Sequence, residues 1–252
     1  MVNIDTVYQR VLTLANKEQR GYITPVEFNL FANQAQMDIF EQYFHDLKLF
    51  KQVPGSTDIH ADSVSILKEK TNIFHYYAKE LNFETLNSDG EVALGEGYED
   101  YIYRITEVSV DYGSGRVKCE EVEAEDILLY SNSSLFKESK LRPIFYRYSN
   151  SSNIQLNQEQ IKILPVPEWV QGEENVYISY IKKPSKAEWN GVQLGNTLMY
   201  EPGISNNFDL HVSEETKLVV KILQLASIAM KDAELYQVAA AEDIKNIQQE
   251  KQ

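Results

Sequence analysis

The spacing in this chain that comes nearest to a metal site is Asp58-x-His60-x-Asp62. On a strand those three side chains would share one face, in reach of a cation. No second histidine cluster supports them, so the stretch reads as a solvated polar loop and no metal is expected. His45 lies among charged positions of a helical pattern and is expected to face solvent. There is no Gly-x-Ser-x-Gly nucleophile elbow. Cys119 is the only cysteine, which excludes an intrachain disulfide and a thiolate metal cluster. It falls in a predicted strand, where a small buried residue is the expected role. Gly113-Ser114-Gly115 is too short for a phosphate loop and stands between strands rather than before a helix, so it reads as a hairpin turn. The carboxylate pairs Glu120–Glu121 and Glu214–Glu215 are what an acidic surface produces without acid–base work. The second pair also suits a helix start, where the dipole favours negative charge. No catalytic residue, cofactor or metal is expected. An enzyme reading would have to be a small metal-dependent hydrolase on Asp58, His60 and Asp62.

The elements that would position any site begin with Thr24–Leu49. Thr24, Pro25 and Glu27 form a capping box with proline at the first helical position. Phe28, Phe31, Ala32, Ala35, Ile39, Tyr43 and Leu47 recur at helical spacing, and Met37, Phe40 and Phe44 widen the apolar surface. The expected intrachain partner is the apolar helix Ser213–Lys231, whose thin polar stripe is Lys217, Lys221, Gln224 and Lys231. A first helix is expected from a cap at Asp5 to about Lys17. Thr57–Thr71 has mixed periodicity, and Ile73–Leu86 fits strand and helix equally. Asn87–Gly90 signals a turn. Strands are expected at Tyr101–Val110, Arg116–Val122, Ile144–Tyr148, Asn153–Leu156, Gln160–Leu164 and Asn175–Ile181. Glu123–Tyr130 reads as one or two helical turns, and Ala187–Asn207 as an extended loop. A break at Asp232–Ala233 and a polar helix Glu234–Gln249 close the chain. The order is helices, strands, helices. The expected class is α+β: terminal helices forming one bundle (residues 1–52 and 211–252), with a strand-rich β domain (residues 53–210) inserted between them.

The chain has 252 residues, a hydrophobic content of 43% and a formal net charge of −14. That content is enough for a core. Such an acidic balance disfavours wrapping duplex DNA through its phosphates, yet suits a passage through which DNA slides without sticking. No basic stripe interleaves the aromatic residues, as single-strand binding would need. The amino terminus lacks the basic start and apolar run of a signal peptide, and no window approaches a membrane span. Sixteen tyrosines point to strand-rich surfaces and interfaces.

Three stretches together resemble the head-to-tail connector, or adaptor, ring proteins of tailed bacteriophages of the short-tailed and crAss-like type. The first is Gly21-Tyr22-Ile23-Thr24-Pro25-x-Glu27-Phe28-Asn29 with Gln34-x-x-x-Asp38-Ile39-Phe40. The second runs from Arg142-Pro143-Ile144-Phe145-Tyr146 through Ile161–Pro167 to Val176-Tyr177-Ile178-Ser179-Tyr180 and Lys183-Pro184. The third is Phe208-Asp209-Leu210-His211-x-Ser213-Glu214-Glu215. The resemblance implies a virion structural protein of the head–tail junction, assembled in the host cytoplasm, with no catalytic residues. It implies a homo-oligomeric ring, dodecameric in the family, that stacks beneath the portal protein and receives downstream tail or ring proteins. Phage DNA would pass through its lumen without sequence-specific binding, and no membrane is involved. The breadth of the two apolar helices makes Phe28, Phe31, Phe40, Tyr43, Phe44, Leu218, Ile222, Leu225 and Met230 the residues expected to meet neighbouring copies or the portal. The alternative is a non-catalytic binding module of a phage tail or other surface assembly.

Overall fold

The structure is a computed structural model. It describes residues 1–17, 23–52, 58–80, 90–93, 102–113, 115–149, 159–166, 176–195, 197–230, 237 and 239–245. The chain mixes helices with sheets, broadly α+β. It divides into two units: residues 1–73 with 184–252, and residues 74–183. The expected boundaries at 52/53 and 210/211 both fall inside the first unit.

The first unit is mainly helical. Helix α1 (Ile4–Lys17) is capped by Asn3, whose Oδ1 accepts from the amides of Asp5 and Thr6 at 2.9 and 3.1 Å. Asp5, the expected cap, instead accepts the indole N–H of Trp189 at 2.9 Å. Helix α2 (Pro25–Gln52) has the expected capping box. The Thr24 amide donates to Glu27 Oε2 at 2.9 Å, and the Glu27 amide donates to Thr24 Oγ1 at 3.3 Å. The bond from the Thr24 amide, and next to it one from the Thr24 hydroxyl to the same oxygen at 2.8 Å, hold the Glu27 carboxyl below its ordinary pKa. Helix α3 (Asp58–Asn72) covers the stretch of mixed periodicity and packs on α2.

A two-stranded hairpin, β9 (Gly191–Leu194) and β10 (Thr197–Tyr200), lies within the segment expected to be loop. Its register pairs Leu194 with Thr197, and Gly195 takes φ +63° in the tight turn. A backbone bridge between Glu188 and Asn206 extends its base. The apolar helix opens with a 3₁₀ turn (Val212–Glu214) capped by His211 and continues as α5 (Glu215–Met230). Helix α5 packs against both α1 and α2, as the apolar periodicities require. Gln224 donates to the Ala239 carbonyl at 3.0 Å, tying α5 to the helical residues 239–245.

The second unit holds two four-stranded sheets. One runs β1 (His75–Glu80), β8 (Val176–Lys182), β3 (Ile102–Asp111), β4 (Arg116–Lys118), all antiparallel. The other runs β2 (Glu91–Ala93), β7 (Glu159–Leu164), β6 (Ile144–Ser149), β5 (Glu120–Glu121), with β5 parallel to β6. Of the ambiguous segment after Ile73, residues 75–80 are strand, and residues 81–86 lie outside the described residues. Strand β8 is buried along most of its length because it is flanked by β1 and β3. A register shift between Ile105 and Glu107 resets the alternation of β3, so Ile105, Val108 and Val110 all point into the core.

Arg116–Val122, expected as one returning strand, changes sheets midway. Residues 116–118 pair with β3, while Glu120–Glu121 pair with β6. Cys119 sits at the crossing, buried in a core that draws Ile105, Val108 and Ile178 from one sheet and Phe145, Ile161 and Ile163 from the other. A small side chain is what that junction admits. Asp111 closes the Gly113–Gly115 turn, its Oδ1 accepting from both glycine amides at 2.8 and 3.1 Å. The expected strand at Asn153–Leu156, the turn residues 87–89 and the break at 232–233 lie outside the described residues.

Candidate assembly surfaces

Five of the residues expected to meet neighbours, Phe28, Phe40, Tyr43, Leu218 and Ile222, are buried inside the first unit and offer no surface to another copy. Phe31, Phe44 and Leu225 are half-buried. The side chain of Met230 lies outside the described residues. Much of the apolar surface of α2 is covered within the chain, while Val26, Leu30 and Leu49 stay exposed. Helices α3 and α5 pack against α2, and the extended segment after Pro184 lies along its Asn29, Asn33 and Gln36 side.

That segment is held by a ladder of carboxamides. Asn29, Asn33 and Gln36 recur at helical spacing along one side of α2 and grip the backbone of alternate residues. Asn29 Oδ1 accepts from the Trp189 amide at 2.8 Å, and its Nδ2 donates to the Trp189 carbonyl at 3.1 Å. Asn33 makes the same pair of bonds to Ala187, at 2.8 and 2.9 Å. Gln36 donates to the Ser185 carbonyl at 2.8 Å and accepts from the Asp209 amide at 3.0 Å. A planar amide offers one donor and one acceptor side by side, as a neighbouring strand would. The extended segment therefore treats this face of the helix as a strand edge. Ala187 and Trp189 bury their side chains, and Trp189 packs against Tyr8 at 4.5 Å and Tyr200 at 5.9 Å. Gly191 is required beside it, since a Cβ there would meet the Met199 carbonyl and Leu198 at 2.9 Å.

The chemistry-bearing residues are separated. Asp58, His60 and Asp62 fall in the first turns of α3, not on a strand. Their side chains lie outside the described residues. His45 is exposed, with Nδ1 3.5 Å from Asp46. Among the described residues no group of three or more His, Cys, Asp or Glu is placed to hold a metal ion. Glu120 pairs with Arg142 at 2.7 Å and Glu121 with Arg147 at 2.9 Å, as exposed ion pairs. The Glu214–Glu215 pair splits. Glu215 meets Arg10 at 2.6 Å near the surface. Glu214 is buried and meets Lys70 at 2.5 Å, with the Tyr43 ring 5.9 Å from the same ammonium. Glu214 thus clasps α3 to the start of α5, a role the helix dipole does not describe. Cys119 is buried. Burial, with Glu107 as a smaller contributor, pushes its thiol up to about 12, so it is no nucleophile.

Two surfaces missed in the sequence stand out. In the second unit, the connection between the parallel strands β5 and β6 carries helix α4 (Ile127–Asn132), which buries no residue. Across this excursion Leu128, Leu129, Leu135, Phe136 and Leu141 are 51–86% exposed. Local bonds order it. Ser133 Oγ accepts from the Leu135 and Phe136 amides at 3.3 Å, Ser139 and Arg142 form a bridge, and the Arg142 guanidinium lies over the Phe136 ring. In the first unit, Val192 and Met199 are directly opposed across the β9–β10 hairpin and exposed, as is Ile204 on the following 3₁₀ turn. Leu198, on the other face toward Trp189, remains half-exposed. The sequence signal for the hairpin was the Gly195–Asn196 dipeptide between alternating apolar residues. For the excursion it was a run of leucines with neither helical nor strand period.

No protein-family model matches this sequence, and no curated protein matches it. Among the described residues no helix is long and apolar enough to cross a membrane.

Proposed function

We propose that the chain is a structural ring protein of the head–tail junction of a tailed phage, joining the portal to the tail and extending the DNA channel. The observation that carries this reading is the presence of large exposed apolar side chains on ordered segments of both units. Exposed apolar patches beyond a few hundred Å² mark interaction sites. Two unlike patches on one chain suit the head-to-tail contacts from which closed rings are built. In this reading the two chain ends supply one helical bundle and the strand-rich segment is a domain inserted into it. The net charge of −14 suits a lumen that repels DNA rather than holding it.

Copies contacting one another weakly would close into a ring on a portal template, where the effective concentration is high. The purified chain is then monomeric in dilute solution and annular on the portal. Electron microscopy and mass measurement of the full chain, alone and mixed with the portal protein of the same phage, test this. A ring bound to the portal is expected. A single copy per particle, or no association with portal or tail proteins, removes the connector reading and leaves a binding module of a tail or surface assembly in front.

A further inference from the structure

We infer that the leucine-rich excursion around α4 docks on the β9–β10 hairpin of a second copy of this chain. The inference rests on the ring reading and names its contact. The excursion presents five large apolar side chains from a fifteen-residue segment whose helix buries nothing. A six-residue helix is too short to be stable on propensity alone. Its order depends on a few local hydrogen bonds and on one ring contact, Tyr130 with Phe136 at 6.2 Å. Such a segment gains most from a surface that covers its leucines.

The hairpin is the complementary partner within the same sequence. Among the described residues β9 and β10 pair only with each other, and a lone two-stranded hairpin is marginal without packing. One face is packed: Tyr200 stacks on Trp189. The other presents Val192 and Met199, 45% and 57% exposed, and Ile204 on the following 3₁₀ turn is exposed as well. Taking about 150 Å² for a large apolar residue, the excursion exposes on the order of 500 Å² of apolar area, and Val192, Met199 and Ile204 together expose about 250 Å². The smaller patch limits the contact, so with apolar atoms at about 57% of an ordinary interface the pair corresponds to roughly 900 Å² buried in total, the size of a weak contact that closes a ring only on a template. The patches are unlike, so each copy uses both, one toward each neighbour, and the contact propagates instead of stopping at a dimer.

Bis-maleimide cross-linking tests this, using Leu135→Cys and Met199→Cys in the full chain. The native Cys119 is buried and stays silent. The samples are concentrated protein and protein bound to its portal, with electron microscopy reporting ring formation on the same material. The expected result is a ladder of multimers from the double variant, and dimers on mixing the two single variants but not from either alone. In parallel, Leu128→Glu/Leu129→Glu should abolish the ring while leaving the thermal midpoint of the isolated chain within a few degrees, because both side chains are exposed. Self-cross-linking of Leu135→Cys alone would mean a two-fold contact and overturn the inference. Intact rings with no Leu135–Met199 cross-link would overturn it too, while leaving the ring reading in place. Absence of any ring from the unmodified chain would remove both.

Discussion

Replacing Asn33 by Ala removes both bonds to Ala187 and leaves a backbone N–H and C=O of a fully buried residue without partners. Each buried group left unsatisfied costs about 1–3 kcal/mol. Some solvent can reach the site once the amide is gone, because Asn33 itself is only half-buried, which places the expected loss at about 2–4 kcal/mol. With a urea m-value of about 1–3 kcal/mol/M, the midpoint of the first unit should fall by roughly 1–2 M. The chain has two units, so a global signal would mix transitions. Trp189 packs at the ladder, and the only other tryptophan is Trp169. Trp189 fluorescence in a Trp169→Phe background therefore reports the first unit. Leu30→Ala, on the same helix but exposed, should shift the midpoint within the scatter of surface substitutions, about 0.5 kcal/mol. If Asn33→Ala also falls within that scatter, the amide ladder does not hold the extended segment, and the burial of Ala187 and Trp189 does so without it.

Lys70→Ala strands the Glu214 carboxylate in a buried site and should destabilise the first unit by about 3–5 kcal/mol; the double change Lys70→Met/Glu214→Gln should recover most of that, measured by the same urea titration. Cys119 should resist a thiol-reactive disulfide reagent at pH 8 in the folded protein and react fully in denaturant. Because burial raises its folded pKa to about 12, above an unfolded value of about 8.5, its contribution to stability is complete below pH ~8.5 and is lost as pH rises through the interval above it. Midpoints taken from pH 8 to 10.5 for the native chain and Cys119→Ala should converge toward alkaline pH. The lowered pKa of Glu27 has the opposite sign: its stabilisation of the α2 start is present above the unfolded carboxylate pKa and is lost as pH falls through the folded one. Thr24→Val, which removes the hydroxyl bond but keeps the larger contribution of the backbone amide, should reduce that acid dependence without abolishing it in a Trp189-monitored titration.

The terminal helices and the strands of the middle were legible in the chain because their signals are local. Thr24 and Glu27 cap α2 across three residues, and the apolar spacing of α2 and α5 requires each to find a large partner. A turn such as Asp111–Gly115 is closed by the aspartate that opens it. The Asp58-x-His60-x-Asp62 spacing, by contrast, depended on a strand that tertiary packing made a helix, and α3 now contributes Lys70 to Glu214. Asn29, Asn33 and Gln36 looked like a polar stripe on a helix. Their use became visible only when a segment some 150 residues later lay against them. Phe28, Phe40 and Tyr43 on the same helix are likewise covered from within the chain, where α2 packs on α3 and α5. Periodicity records that a side chain will be covered, but not whether the cover comes from the same chain. The exposed leucines around α4 lie at the opposite limit. Their types ask for burial, and nothing described in their own chain supplies it, because a connection between parallel neighbours β5 and β6 must run outside the sheet it joins.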